Sequence, residues 1–131
     1  MKQLLDAADD ALANAHAPYS DYTVGAALET ADGEIFTGCN IEIANYSNSL
    51  HAEEVALGTA VAAGHREFTR LAVVSGARDG VTPCGMCRQS LAEFCSPELP
   101  IACDHAGDIR TYTLGELLPE PISAGHLGGK K

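Results

Sequence analysis

Two short segments constrain this chain more than anything else in it: His51-Ala52-Glu53 and, thirty residues on, Pro83-Cys84-Gly85-Met86-Cys87. A fold that serves both must bring one imidazole and two thiols together. Cys84 and Cys87 are three apart, so at the start of a helix they share a face and can grip one ion. One histidine and two cysteines are three of the four ligands of a tetrahedral zinc, and a missing fourth ligand separates catalytic from structural zinc. That open corner holds water. Glu53 stands two residues from His51, roughly 200° around an ideal helix, which suits an acid/base acting on the water rather than a ligand. Other readings exist for a Cys-x-x-Cys alone. A redox pair follows a thioredoxin-type strand and has no use for His51-Ala52-Glu53. A structural zinc needs a fourth ligand, and Cys39 and Cys103, the thiols outside these helices, lack ligand spacing.

The chain around these segments is 131 residues long and 46% hydrophobic, enough for one compact core and too short for two, so residues 1–131 are expected to form a single domain. No apolar run approaches the roughly 20 residues of a membrane span, and Met1-Lys2-Gln3-Leu4-Leu5-Asp6 lacks the blocks of a signal peptide. With five cysteines, an odd number, the expected compartment is the reducing cytoplasm, and Cys39, Cys95 and Cys103 read as buried small apolar residues. Eighteen acids against eight bases give a net charge of −10. That balance argues against a nucleic-acid partner, which needs clustered Lys and Arg, and for a small-molecule substrate. Dispersed acidity fits a salt-loving source as well as an ordinary acidic enzyme.

In chain order, residues 2–15 place Leu4, Leu5, Ala8, Leu12 and Ala15 at helical spacing. Strands follow over 22–30 and 34–40, joined by the turn Ala31-Asp32-Gly33. Residues 41–50 read as a polar loop walling a site, with Ser49 as the cap of a helix that carries His51 and stops at Gly64. Thr69 to Ser75 is a strand apolar on both sides, aimed at the cysteines. Pro83 suits the first position of a helix running to Cys95, after which two short strands flank His105-Ala106-Gly107-Asp108. Thr113-Leu114-Gly115-Glu116 has capping-box spacing, and the tail 119–131 reads as loose. Both ligand segments are thus helix starts, whose free N–H groups favour thiolate and hydroxide. Arg88, beside Cys87, is a candidate donor to a thiolate, with a surface salt bridge as the alternative. His16, His65, His105 and His126 carry no assigned role.

Four blocks in this order resemble the small, homotetrameric kind of zinc-dependent cytidine deaminase. They are Ala17-Pro18-Tyr19-Ser20 with Val24-Gly25-Ala26-Ala27-Leu28, then Thr37-Gly38-Cys39-Asn40-Ile41-Glu42, His51-Ala52-Glu53, and Pro83-Cys84-Gly85-Met86-Cys87-Arg88-Gln89. The resemblance spans Pro18 to Pro119 and implies a three-layer α/β/α fold with a mixed sheet of about five strands. It implies one Zn2+ per chain held by His51, Cys84 and Cys87, and hydrolysis of cytidine and deoxycytidine to the uridine and ammonia, with Glu53 carrying the protons. Asn40 and Glu42 would hold the ribose hydroxyls, the Ala52 N–H the pyrimidine carbonyl, and Tyr22 would pack near the ring. Tyr46 would reach a neighbouring subunit's site. A strand end for Asn40 and Glu42 and core packing for the tyrosines stay open as plainer readings.

The chain departs from that family at several positions. Small members carry cysteine at the place of His51 and arginine at that of Glu54. A neutral imidazole with two thiolates balances the zinc charge without an arginine, so an acid at Glu54 is tolerable, particularly if it points to solvent. Ile43 replaces a usual asparagine, and Ile122 stands near the place of a tail aromatic. The stretch from Ala52 to Ala60 also resembles blasticidin-S deaminase, which makes another aminopyrimidine deaminase the runner-up. A zinc-stabilised binding module without activity is the rival from a different class.

Overall fold

The computed structural model describes residues 1–76, 80–105 and 107–128. Nine elements follow in order: α1 (Lys2–Leu12), β1 (Val24–Thr30), β2 (Ile35–Cys39), α2 (Ala52–Ala62), β3 (Phe68–Ser75), α3 (Gly85–Phe94), β4 (Pro100–His105), β5 (Asp108–Thr113) and α4 (Leu114–Leu117). Single 3-10 turns lie at Tyr46–Asn48 and Ala124–Leu127. The five strands form one sheet in the order β2-β1-β3-β4-β5. β1 runs antiparallel to β2 and β3, β3 and β4 are parallel, and β5 returns antiparallel to β4. This is the mixed α/β sheet expected.

Period-two alternation assigns the two faces. Val24, Ala26, Leu28, Leu71, Val73, Ile101 and Cys103 point one way, into a core closed by Ala56, Leu57 and Ala60 of α2 and Leu91 of α3. Ala27, Ala72 and Val74 point the other way, beneath Leu4 and Ala8 of α1. Helices therefore cover both faces. The consecutive apolar residues of β3 are explained by its two buried sides, as for a strand inside a covered sheet. Small residues set the spacing: a Cβ on Gly25 would lie 2.8 Å from Leu12 N, so α1 lies directly on β1.

Several boundaries differ from the sequence reading, each for a local reason. α1 ends at Leu12 rather than Ala15, because Asn14 and Ala15 turn back on Ala11 and Leu12 and His16 is drawn into a bridge with Ile41. Ser49 does not cap α2; its hydroxyl accepts from Ile43 N, and His51 is the N-cap. Pro83 precedes α3 by two residues, since Cys84 takes the N-cap position with extended φ −68° and ψ 165°. Of the three cysteines read as buried, Cys103 is, whereas Cys39 and Cys95 are half-exposed. The tail is tied down in part: Gln89 donates from Nε2 to Ile122 O at 2.8 Å and accepts from Ile122 N at 3.1 Å. The capping box at Thr113 and Glu116 is present as read. Residues 77–79, Ala106 of the expected turn and residues 129–131 of the tail lie outside the described residues.

Candidate metal centre and active site

The starts of α2 and α3 meet beside Val24 of β1, whose partner in the sheet is Ser75, the last residue of β3. Ligands in open α/β sheets bind at such strand ends. His51 and Cys84 are the N-caps of their helices and Cys87 is the third residue of α3. Neither N-cap residue is helical: His51 has φ −92° and ψ 150°, so both side chains leave the helix axis and turn toward each other. His51 Nδ1 lies 3.0 Å from Cys84 Sγ, and ligand atoms of His51, Cys84 and Cys87 all fall within 4.8 Å of one another. One imidazole nitrogen and two sulfurs at that separation suit zinc, and three residues leave a fourth position free. Burial pushes the Cys87 thiol well up, helped by the charges of Glu53 and Cys84, so metal uptake there must displace a proton.

Glu53, the second residue of α2, is only 4% exposed yet lines the same cleft as His51 and Cys84. Burial raises its pKa above the ordinary carboxylate value. Hydrogen bonds from its own N–H and from Cys84 N–H, and the nearby His51, act the other way. A buried carboxylate lining the same cleft as two candidate metal ligands is the placement a proton carrier needs. Ala52, the first residue of α2, brings an N–H that has no partner within the helix.

The cleft of about 690 Å³ is also lined by Tyr22, Asn40, Glu42 and Tyr46. Sequence and structure thus converge on one hollow. Asn40 bridges β1, accepting from Val24 N at 2.9 Å and donating to Tyr22 O at 2.7 Å, which leaves one donor and one lone pair for a ligand. Glu42 receives four donors: Tyr19 N at 3.0 Å, Ser20 N at 3.1 Å, the Ser20 hydroxyl and Tyr46 OH at 3.2 Å. The Ser20 hydroxyl first, then the Ser20 and Tyr19 N–H groups, hold its carboxyl below the usual range. Tyr46 therefore turns onto its own chain's cleft, and Tyr22 OH donates to Gly80 O at 2.9 Å.

Two side chains sit differently from their reading. Arg88 donates to no thiolate among the described residues; its guanidinium reaches Pro83 O at 2.6 Å, Leu117 O at 2.8 Å and Thr82 Oγ1 at 3.2 Å. It clamps the loop before Cys84 onto the end of α4. Glu54 is half-buried and its Oε1 accepts from His51 N at 2.6 Å, rather than pointing to solvent. The reading did not single out Ser20, Val81, Thr82 and Met86 as lining residues, whereas Leu50 belongs to the 41–50 loop read as walling the site. Ser20 and Met86 carried a signal, as parts of the Ala17-Pro18-Tyr19-Ser20 and Pro83-Cys84-Gly85-Met86-Cys87 blocks.

A mixed sheet with an N/S ligand set at two converging helix starts and a buried glutamate beside them defines a zinc-dependent deaminase domain. The chain belongs to the cytidine and deoxycytidylate deaminase family: residues 1–103 match the family's zinc-binding region. It is 43% identical over 124 residues to a cytidine deaminase of Sporosarcina psychrophila, covering 94% of this chain and 91% of that one. To a cytidine deaminase of Halalkalibacterium halodurans it is 40% identical, covering 94% of each chain. The crystal structure of cytidine deaminase from Burkholderia pseudomallei superposes with a TM-score of 0.87 at 44% identity, over 92% of this chain and 98% of that one. The chain is an enzyme of this family, and the rival reading of an inactive zinc-stabilised module falls.

Proposed function

We propose that the chain hydrolyses cytidine and deoxycytidine to uridine and deoxyuridine with release of ammonia, as one step of pyrimidine salvage. The observation that supports this most is Glu53, buried in the same cleft as His51 and Cys84. His51, Cys84 and Cys87 would hold the zinc. When bound, zinc supplies a Lewis acid that makes water ionise near neutral pH. Glu53 takes the proton of the attacking water on its carboxylate and passes it to ring nitrogen 3 as the water oxygen adds to carbon 4. It then moves the second proton of that water to the departing amine, the bond from carbon 4 to that nitrogen breaks, and ammonia leaves. The Ala52 N–H is placed to hold the pyrimidine carbonyl.

Asn40 and Glu42 would take the ribose. Because all the acceptor sites of Glu42 are engaged, a ribose hydroxyl must replace Tyr46 OH or share its site. Asn40→Ala and Glu42→Ala are each expected to raise KM for nucleosides by about tenfold, with the zinc retained. Glu42→Ala should have the larger effect, since it also frees Tyr19 and Ser20. Unchanged KM in both variants would move weight to a blasticidin-type substrate.

Five free cysteines suit a reducing compartment, for which the cytoplasm is the reading. Among the described residues no helix is long and apolar enough to cross a membrane. The cleft's own lining leaves Tyr46, Leu50 and Met86 exposed, apolar surface that supports assembly into a homotetramer. One continuous sheet supports a single domain. Ammonia release measured across cytidine, deoxycytidine, cytosine, dCMP and blasticidin S, alongside metal analysis, tests the whole reading. One zinc per chain with cytidine preferred is the expected result; activity on blasticidin S alone, or on dCMP alone, would overturn it.

A further inference from the structure

The backbone around the metal-facing histidine leaves one polar group to be satisfied by a side chain. Leu50 exchanges both of its hydrogen bonds with Ile41: Leu50 N donates to Ile41 O at 2.8 Å and Ile41 N to Leu50 O at 2.9 Å. His51 O accepts from Val55 N at 3.0 Å, the first bond of α2. His51 N lies at neither the bridge nor the helix ladder, and its acceptor is the Glu54 carboxylate at 2.6 Å. With that bond every backbone N–H and C=O of residues 50 and 51 has a partner. Without it, the N–H of His51 is an orphan at a half-buried helix end.

We propose that Glu54 is a positioning residue for the zinc site, acting by holding the His51 peptide, and that what it supplies is an acceptor at this distance rather than a negative charge. This rests on the reading of His51 as a zinc ligand. A ligand at an N-cap stands outside the helix, so the direction of its side chain is set by its own φ and ψ, here −92° and 150°. Those torsions are fixed only if both ends of the residue are held. Val55 N holds the carbonyl end and Glu54 holds the amide end. The Leu50–Ile41 bridge carries the same constraint to the residue between Asn40 and Glu42, so the ribose segment and the histidine are braced together. Cys84 and Cys87 depend on a different helix and do not need Glu54. The capping-box geometry also explains why glutamate is accepted beside a metal site that a second negative charge would otherwise burden.

Glutamine is the isosteric variant that keeps the acceptor and discards the charge, whereas alanine discards both. Zinc affinity is measured by chelator competition on the folded full-length chain, with circular dichroism recording that each variant is folded. Glu54→Gln is expected to bind zinc close to the native affinity, and Glu54→Ala to bind it about tenfold more weakly, in the range of partners that orient ligands. Exchange of the His51 amide proton should quicken in Glu54→Ala and not in Glu54→Gln. In a His51→Ala background the further change Glu54→Ala should cost no additional affinity, because there is no imidazole left to position. Equal weakening by Gln and Ala would mean that charge acts, and an undiminished effect in the His51→Ala background would mean that Glu54 works elsewhere; either overturns the inference. Native-like zinc binding by Glu54→Ala overturns this inference alone, whereas a native chain that takes up no zinc overturns the metal-site reading with it.

Discussion

Glu53→Gln is expected to keep one zinc per chain and lose about 10²- to 10⁴-fold in turnover, the range ascribed to a positioned acid/base. Glutamine matches glutamate in shape, so the buried site, 4% exposed and in the same cleft as Cys84, stays filled. What disappears is the capacity to take a proton from water and return it to two nitrogens in turn. The stability of the metal-free chain should not fall, because burial opposes the charge that the substitution removes. Thermal melting of the metal-free proteins and metal analysis of the loaded ones therefore accompany the kinetics. A variant that melts normally, holds zinc and still deaminates at the native rate would remove Glu53 from the mechanism. A loss of zinc would instead make Glu53 part of the metal site.

Much of that site was legible because ligand chemistry is restrictive. Few residue types bind zinc, and His51, Cys84 and Cys87 stand at spacings that two helix starts explain. The sheet was legible for a similar reason: alternation in β1 and an unbroken apolar run in β3 each admit few placements. The misplaced details are those where one polar group had several partners to choose from. Ser49 fits a helix cap by composition, yet its hydroxyl serves Ile43 N while His51 takes the cap. Arg88 fits a thiolate donor by proximity in sequence, but three acceptors in the loop and at the end of α4 lie within its reach. Leu117 is 29 residues away, and no local pattern announces it. Glu54 was within reach of sequence reasoning: glutamate at the third position of a helix signals a reach back to the cap, and weighing charge alone hid it. The four donors on Glu42 come from a segment more than twenty residues earlier and from Tyr46, a convergence that only the folded chain displays.

The sheet also sets the distance between the two ligand helices, and Gly38 is where that distance is fixed. It lies on β2 opposite Ala26 of β1, and a Cβ there would run into Ala52 O and come within 2.5 Å of Ala56 N and 2.9 Å of Val55 Cβ. Two of these obstacles are backbone atoms in the first turns of α2, which cannot step aside as a flexible side chain can. Gly38→Ala must therefore lift the start of α2 off the sheet. That start carries His51, Ala52 and Glu53, whereas Cys84 and Cys87 belong to α3 and stay where they are. Overpacking of this kind costs about 1–3 kcal/mol of stability, but the larger consequence is a mismatch between the two halves of one site. A displacement near 1 Å is enough for a loss of about 10²-fold in kcat/KM, with weaker zinc binding alongside it. Gly58→Ala is the matched control: it lies exposed on the same helix with nothing within 4 Å of a Cβ, so it should leave turnover unchanged and favour the helix by up to about 1 kcal/mol. Kinetics, zinc affinity and melting temperature of the two variants decide the matter. If Gly38→Ala loses stability but keeps native turnover and zinc affinity, the close approach of β2 to α2 serves packing alone and does not set the geometry of the site.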